Sequence, residues 1–110
     1  RDLTTLRTGI IAGAPVPEEL VTRIKSELVP DLLIAYGLTE TGSTVSITRG
    51  KDPVGKQVAT VGRPLANTEV KVLDFDGTEL PIESIGEIAV RGAGVMQGYY
   101  RQPGETAQVF

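Results

Sequence analysis

The apolar positions of the first half fall into two different periods. RTGIIA (residues 7–12) is a short apolar run that ends at Gly13-Ala14-Pro15, which predicts a buried strand entering a turn. In the following PEELVTRIKSELVP, Leu20, Val21, Ile24, Leu28 and Val29 recur at helical spacing. They predict an amphipathic helix over residues 17–29. Pro17 suits its first position, Glu18 and Glu19 suit the positive end of its dipole, and Pro30 ends it. DLLIAYG (31–37) is again apolar without alternation and reads as a second buried strand. Two such strands joined by a helix are expected to be parallel, with the helix across one sheet face.

The second half alternates instead. In NTEVKVLD, Val70 and Val72 take one face, Glu69 and Lys71 the other. GEIAVRG repeats the pattern, with Ile88 and Val90 expected inward and Glu87 and Arg91 outward, and Asp76-Gly77 marks a turn between the two runs. An antiparallel sheet or small barrel with one wet face is the expected result. The fold class is therefore α/β: a strand-helix-strand unit followed by an antiparallel β-rich subdomain. The polar, turn-rich TRGKDPVGKQ (48–57) is taken as the boundary, giving units 1–55 and 56–110.

Composition narrows the chemistry. The 110 residues contain no Cys and no His, which excludes disulfides, thiolate nucleophiles, Ser-His-Asp triads and His-based zinc sites in this chain. The formal charge of −3, spread over both halves, argues against a nucleic-acid surface. No apolar run approaches a membrane span and no signal-peptide pattern is present, so a cytoplasmic location is the default expectation. The start at Arg1, the sole methionine at Met96 and the stop at Phe110 are read as those of a segment cut from a longer polypeptide. Such a segment is expected to expose apolar area and strand edges and to self-associate at high concentration.

Ligands of open α/β sheets bind beyond the carboxyl ends of the strands. Here those ends are Gly13-Ala14-Pro15 and Tyr36-Gly37-Leu38-Thr39-Glu40-Thr41-Gly42. The second loop offers an aromatic face at Tyr36, a close-approach position at Gly37, hydroxyls at Thr39 and Thr41 that can donate to phosphate, and a hard oxygen ligand at Glu40. Together they suit a nucleotide triphosphate and its metal. A turn closed by a capping acid accounts for the same residues, and a turn before a proline-started helix accounts for Gly13-Ala14-Pro15, so both readings stand on the residues alone.

AGAPVPEEL, AYGLTETG, VGRPLANTEVKVLD and GEIAVRGAGVMQGYYRQPGET, in this order, resemble the superfamily of adenylate-forming enzymes, which includes acyl-CoA synthetases, luciferases and the adenylation domains of peptide synthetases. LRTGIIAGAPVP and the GYY-Pro-Thr run are most similar to fatty-acyl-CoA synthetases. The resemblance implies an internal part of the large N-terminal domain: the end of an α/β subdomain with the adenine and phosphate loops, then a truncated, distorted barrel. It places Gly13, Ala14 and Pro15 against the adenine, and Ala35 and Tyr36 at the other side of the base. Gly37 and Leu38 would line the acyl pocket beside the α-phosphate, Gly37 close to the nucleotide as well. Catalytic roles fall on Thr39, toward phosphate, and Glu40, as the Mg²⁺ ligand. Gly62-Arg63-Pro64, Glu87, Arg91, Tyr99 and Tyr100 are read as holding shape.

The implied activity is ATP-dependent activation of a carboxylic acid, a fatty acid by the closest similarity, as acyl-adenylate, followed by transfer to coenzyme A. ATP, Mg²⁺, coenzyme A and the acid would be the small-molecule partners. The phosphate loop, the ribose-binding aspartate and the catalytic lysine domain of such enzymes have no counterpart in these 110 residues, so the segment alone is expected to be inactive. Two other readings are an aryl-acid or amino-acid adenylating enzyme of the same superfamily, and a non-enzymatic β-rich binding module in which YGLTETG is a plain turn.

Overall fold

A computed structural model describes residues 2–110. Strand β1 (Thr8–Ile11), helix α1 (Glu18–Glu27) and strand β2 (Asp31–Tyr36) follow the order read from the sequence. β1 and β2 are parallel, with Thr8 opposite Asp31 and Ile11 opposite Ile34. α1 lies across the face that carries Leu32 and Ile34, and the core forms there from Val21, Val29 and Leu32, with Ile11, Val16 and Ile24 packed on it. Pro17 is the residue before the helix rather than its first, and its carbonyl accepts the first helical bonds from Leu20 and Val21.

Two leucines expected on the buried face are not there: Leu20 is 42% and Leu28 46% exposed. Leu20 sits a quarter-turn away from Val21. Leu28 follows the last helical residue, at φ −123° and ψ −63°, so it leaves the helical stripe although its spacing fits.

The sheet continues past β2. The short strands β3 (Ser46–Ile47) and β4 (Arg63–Pro64) add antiparallel to it, giving the order β1-β2-β3-β4. Between them lies helix α2 (Val54–Ala59), whose Val54 and Val58 join the same core. The polar stretch offered as a domain boundary thus runs into α2, which packs on the first sheet. The change of sheet falls after β4. The reason is Gln57, fully buried. Its Nε2 donates to the carbonyls of Leu32 and Arg49, and its Oε1 accepts from Lys25 Nζ, which also donates to the Gly50 carbonyl. One polar side chain thereby ties α1, α2, β2 and the loop after β3 together. Gln57→Leu keeps the volume but removes the Nε2 donor from the buried Leu32 carbonyl and the Oε1 acceptor from Lys25, while the Arg49 carbonyl keeps its bond from the Asp52 amide. The expected cost is about 1–3 kcal/mol, read by chemical denaturation, and a loss below about 0.5 kcal/mol, the range of a neutral surface change, would refute it.

Beyond β4, β5 (Thr68–Leu73) and β6 (Glu87–Gly92) form a two-stranded antiparallel ladder with Val70 opposite Val90 and Val72 opposite Ile88. The wet face carries Glu69 and Arg91, which form an ion pair, and Lys71, which bridges Glu69 and Glu79. These exposed pairs contribute little stability. Ile88, expected inward, is 42% exposed, because no third strand or helix covers that end of the ladder among the described residues. No closed barrel forms among them either. A last helix, α3 (Pro103–Val109), follows the GYY turn, with Pro103 at its start.

Candidate functional site

The parallel pairing of β1 and β2 has one direct consequence. Both strands end at the same sheet edge, so Gly13-Ala14-Pro15 and the Tyr36–Gly42 loop emerge side by side in the sheet order. Gly13, Ala14 and Pro15 are exposed, Ala35 is buried in β2, and Tyr36 is half-buried at its end. Leu38 and Thr39 are exposed, and Gly37 and Glu40 are half-buried. Of the residues singled out from the sequence, Gly13 to Pro15, Leu38 and Thr39 are open to solvent at that end of the sheet, and Ala35 is not.

Within the second loop the hydroxyls divide. Residues Thr39–Thr41 make a single 3₁₀ turn. Thr41 Oγ1 accepts from the Leu38 amide at 3.0 Å and donates to the Leu38 carbonyl at 2.9 Å. That proton is used inside the turn, so Thr41 is not the free phosphate donor its type suggested. The Thr39 hydroxyl has no partner among the described residues and faces solvent.

The same bonds decide how the turn is closed. Thr41 closes it, and the carboxylate of Glu40 does not. Glu40 Oε1 instead accepts from the Tyr99 hydroxyl at 2.7 Å, across 59 residues of chain. This bond, and a weaker one to its own backbone, hold the Glu40 carboxyl below the usual carboxylate range. The same bond raises the Tyr99 phenol above its ordinary value. Glu40 is thus ionised at neutral pH, and its Oε2 takes no part in the Tyr99 bond.

Tyr99 is itself anchored. Its amide donates to Thr106 Oγ1 at 2.9 Å, and that hydroxyl donates to the Gln102 carbonyl at 2.8 Å, at the start of α3. The loop after β6 also docks on the Glu40 turn through the backbone. The Met96 amide donates to the Glu40 carbonyl at 2.8 Å, and a Cβ on Gly42 would come within 2.6 Å of the Gly94 carbonyl oxygen.

Gly37 has a different reason for being glycine from the one its motif suggested. The space beside its backbone is filled by the chain itself: a Cβ there would lie 1.5 Å from the Ser43 carbonyl oxygen. The close approach is loop against loop.

Among the described residues no three carboxylate, His or Cys groups gather as a metal cage. Glu40 would act as a single hard-oxygen ligand. That fits Mg²⁺, which is commonly held by one or two carboxylates together with substrate phosphates and water. Sequence reasoning singled out Glu40 and Thr39 by residue type, and the structure puts both in the turn after β2. It missed Tyr99 as the partner of Glu40, and the VMQGYY motif was the only signal that pointed toward that turn.

The chain belongs to the AMP-binding enzyme family, whose model matches residues 1–100. It is 42% identical over 108 residues to YngI of Bacillus subtilis, which carries an acyl-CoA synthetase name, covering 96% of this chain and 20% of that protein. It is 35% identical over 109 residues to the mitochondrial medium-chain acyl-CoA ligase ACSF2 of Bos taurus, covering 97% of this chain and 18% of the ligase. Among solved structures, the amide bond synthetase McbA from Marinactinospora thermotolerans superposes with a TM-score of 0.87 at 33% identity, covering 99% of this chain and 22% of McbA. The chain spans about a fifth of the length of these relatives.

Proposed function

We propose that the chain is the adenine- and phosphate-facing segment of an AMP-forming acid–thiol ligase that activates a carboxylic acid, of the fatty type, and passes it to coenzyme A. The observation that carries this reading is the parallel register of β1 and β2, whose carboxyl ends lead into Gly13–Pro15 and the Thr39–Glu40 turn at the same end of the sheet, with Glu40 ionised and its Oε1 held by Tyr99. The family match and the two relatives with acyl-CoA synthetase and ligase names support it.

The chemistry follows from the substrate. A carboxylate is a poor electrophile. Its oxygen attacks the α-phosphorus of ATP, the bond to the bridging oxygen breaks, and pyrophosphate leaves. The resulting mixed anhydride carries AMP as leaving group, and attack by a thiolate on the acyl carbon expels AMP and forms the thioester. Mg²⁺, when bound, would neutralise phosphate charge. In this chain Glu40 would hold that ion and Thr39 would donate to a phosphate oxygen. Tyr36 and Gly13–Pro15 would bracket the base, and Leu38 would face the acyl group. Holding carboxylate and phosphorus in line is the main task of such loops.

The test is acid-dependent exchange of labelled pyrophosphate into ATP by the complete enzyme, followed by thioester analysis with coenzyme A. Medium- and long-chain fatty acids are expected to support both. Exchange only with aryl or amino acids would move the reading to that branch of the superfamily. No exchange with any acid would favour a binding module. The isolated 110-residue segment is expected to release no pyrophosphate above a protein-free control. Ile10 is 64% exposed on the uncovered sheet face, and β1 has no partner at its outer edge among the described residues. The segment alone is therefore expected to associate, and a clean monomer in light scattering at millimolar concentration would show otherwise.

A further inference from the structure

We infer that Tyr99 is a positioning residue for the metal-binding carboxylate: it holds Glu40 by Oε1 so that Oε2 is presented to the cation. The inference rests on the reading of Glu40 as the Mg²⁺ ligand. It adds a residue that is otherwise explained by shape alone.

The geometry has three connected parts. Glu40 lies in a turn that Thr41 closes without using the glutamate side chain. A glutamate in such a place has three free torsions and would sample many orientations. The 2.7 Å bond from the Tyr99 hydroxyl selects among them. Tyr99 can do so because its own backbone is fixed. Its amide is bonded to Thr106 Oγ1, and a Cβ on the preceding Gly98 would lie 2.8 Å from Thr106 Cγ2, so the turn rests directly on α3.

A purely structural tyrosine needs none of this. Tyr100, next along the chain, is 81% exposed with its ring against Arg101, which is what a surface tyrosine looks like. Tyr99 spends its hydroxyl on the one carboxylate of the loop. A neutral phenol donor leaves the charge of Glu40 intact, whereas a Lys or Arg in its place would compete with the cation. Hydrogen-bond partners of metal ligands commonly set affinity by about 10- to 100-fold.

The experiment uses the complete enzyme with Mn²⁺ as probe for Mg²⁺ and a non-hydrolysable ATP analogue present, with bound Mn²⁺ counted by electron paramagnetic resonance. Tyr99→Phe keeps the ring and removes the hydroxyl. Mn²⁺ affinity is expected to fall about 10- to 100-fold, with the melting temperature little changed and thioester formation from pre-made acyl-AMP preserved. In a Glu40→Gln background the same change is expected to add nothing. Thr106→Ala keeps the phenol but frees its anchor, and a smaller fall in the same direction is expected. It also serves if Tyr99→Phe folds poorly. Unchanged or tighter Mn²⁺ binding in the tyrosine and threonine variants, while Glu40→Gln weakens it, would overturn the role of Tyr99 and leave the metal reading standing. Unchanged Mn²⁺ binding in Glu40→Gln would overturn both.

Discussion

Glu40→Gln in the complete enzyme is expected to slow adenylate formation about 100- to 1000-fold, the loss typical of one preorganised electrostatic contact at a reacting centre. The substitution is selective because of what Glu40 touches. The amide oxygen of glutamine can still accept from Tyr99, and the turn remains closed by Thr41. The local fold should therefore survive while the charge that would bind the cation disappears. Raised Mg²⁺ is expected to restore part of the rate. Thioester formation from supplied acyl-AMP should change far less, since pyrophosphate and its cation play no part in that step. Equal loss in both half-reactions, accompanied by a lowered melting temperature, would mean that Glu40 is structural.

The second large effect is expected at Gly37. A methyl group 1.5 Å from the Ser43 carbonyl oxygen cannot be accommodated by a side-chain adjustment, because the obstructing atom is backbone. Gly37→Ala must push the Tyr36–Gly42 loop away from the chain that follows it. The expected cost is about 3 kcal/mol, the upper end for overpacking. Both half-reactions should fall together, because the loop as a whole is displaced. If instead the glycine only makes room for the acyl group, the variant would melt like the parent and show a raised KM for the acid alone. Thermal melts and acid titrations on the same preparation separate the two.

These two residues also mark how far the sequence could be read. The strand-helix-strand unit was legible because three features agree there: unbroken apolar runs at β1 and β2, helical spacing between them, and prolines at both helix ends. Leu28 escaped because spacing says nothing about where a helix stops, and Leu20 because it lies to the side of the stripe centred on Val21. α2 escaped because its most buried residue is Gln57, so the apolar pattern is missing at the position where burial is complete. β3 and β4 have two residues each, too few for alternation to show. At the site, Thr39 and Glu40 could be chosen by their chemistry. The use of the Thr41 hydroxyl could not, since type alone does not say whether a proton is already spent. Gly37 was rightly marked as a place of close approach, but the approaching group is its own chain. Tyr99 lay beyond any local pattern, being 59 residues from its partner.

That separation sets an order of events during synthesis. The turn around Glu40 is closed by bonds three residues apart and can form as soon as it leaves the ribosome. At about 5–20 residues per second, the 59 residues to Tyr99 take roughly 3–12 s to add. Throughout that interval the hydroxyl that directs the Glu40 carboxylate is absent. A ribosome-bound chain stalled before Met96 would have the local bonds of the turn but neither the Met96 amide on the Glu40 carbonyl nor the Tyr99 hydroxyl on its carboxylate, so the orientation of Glu40 would wait for the last part of the chain to arrive.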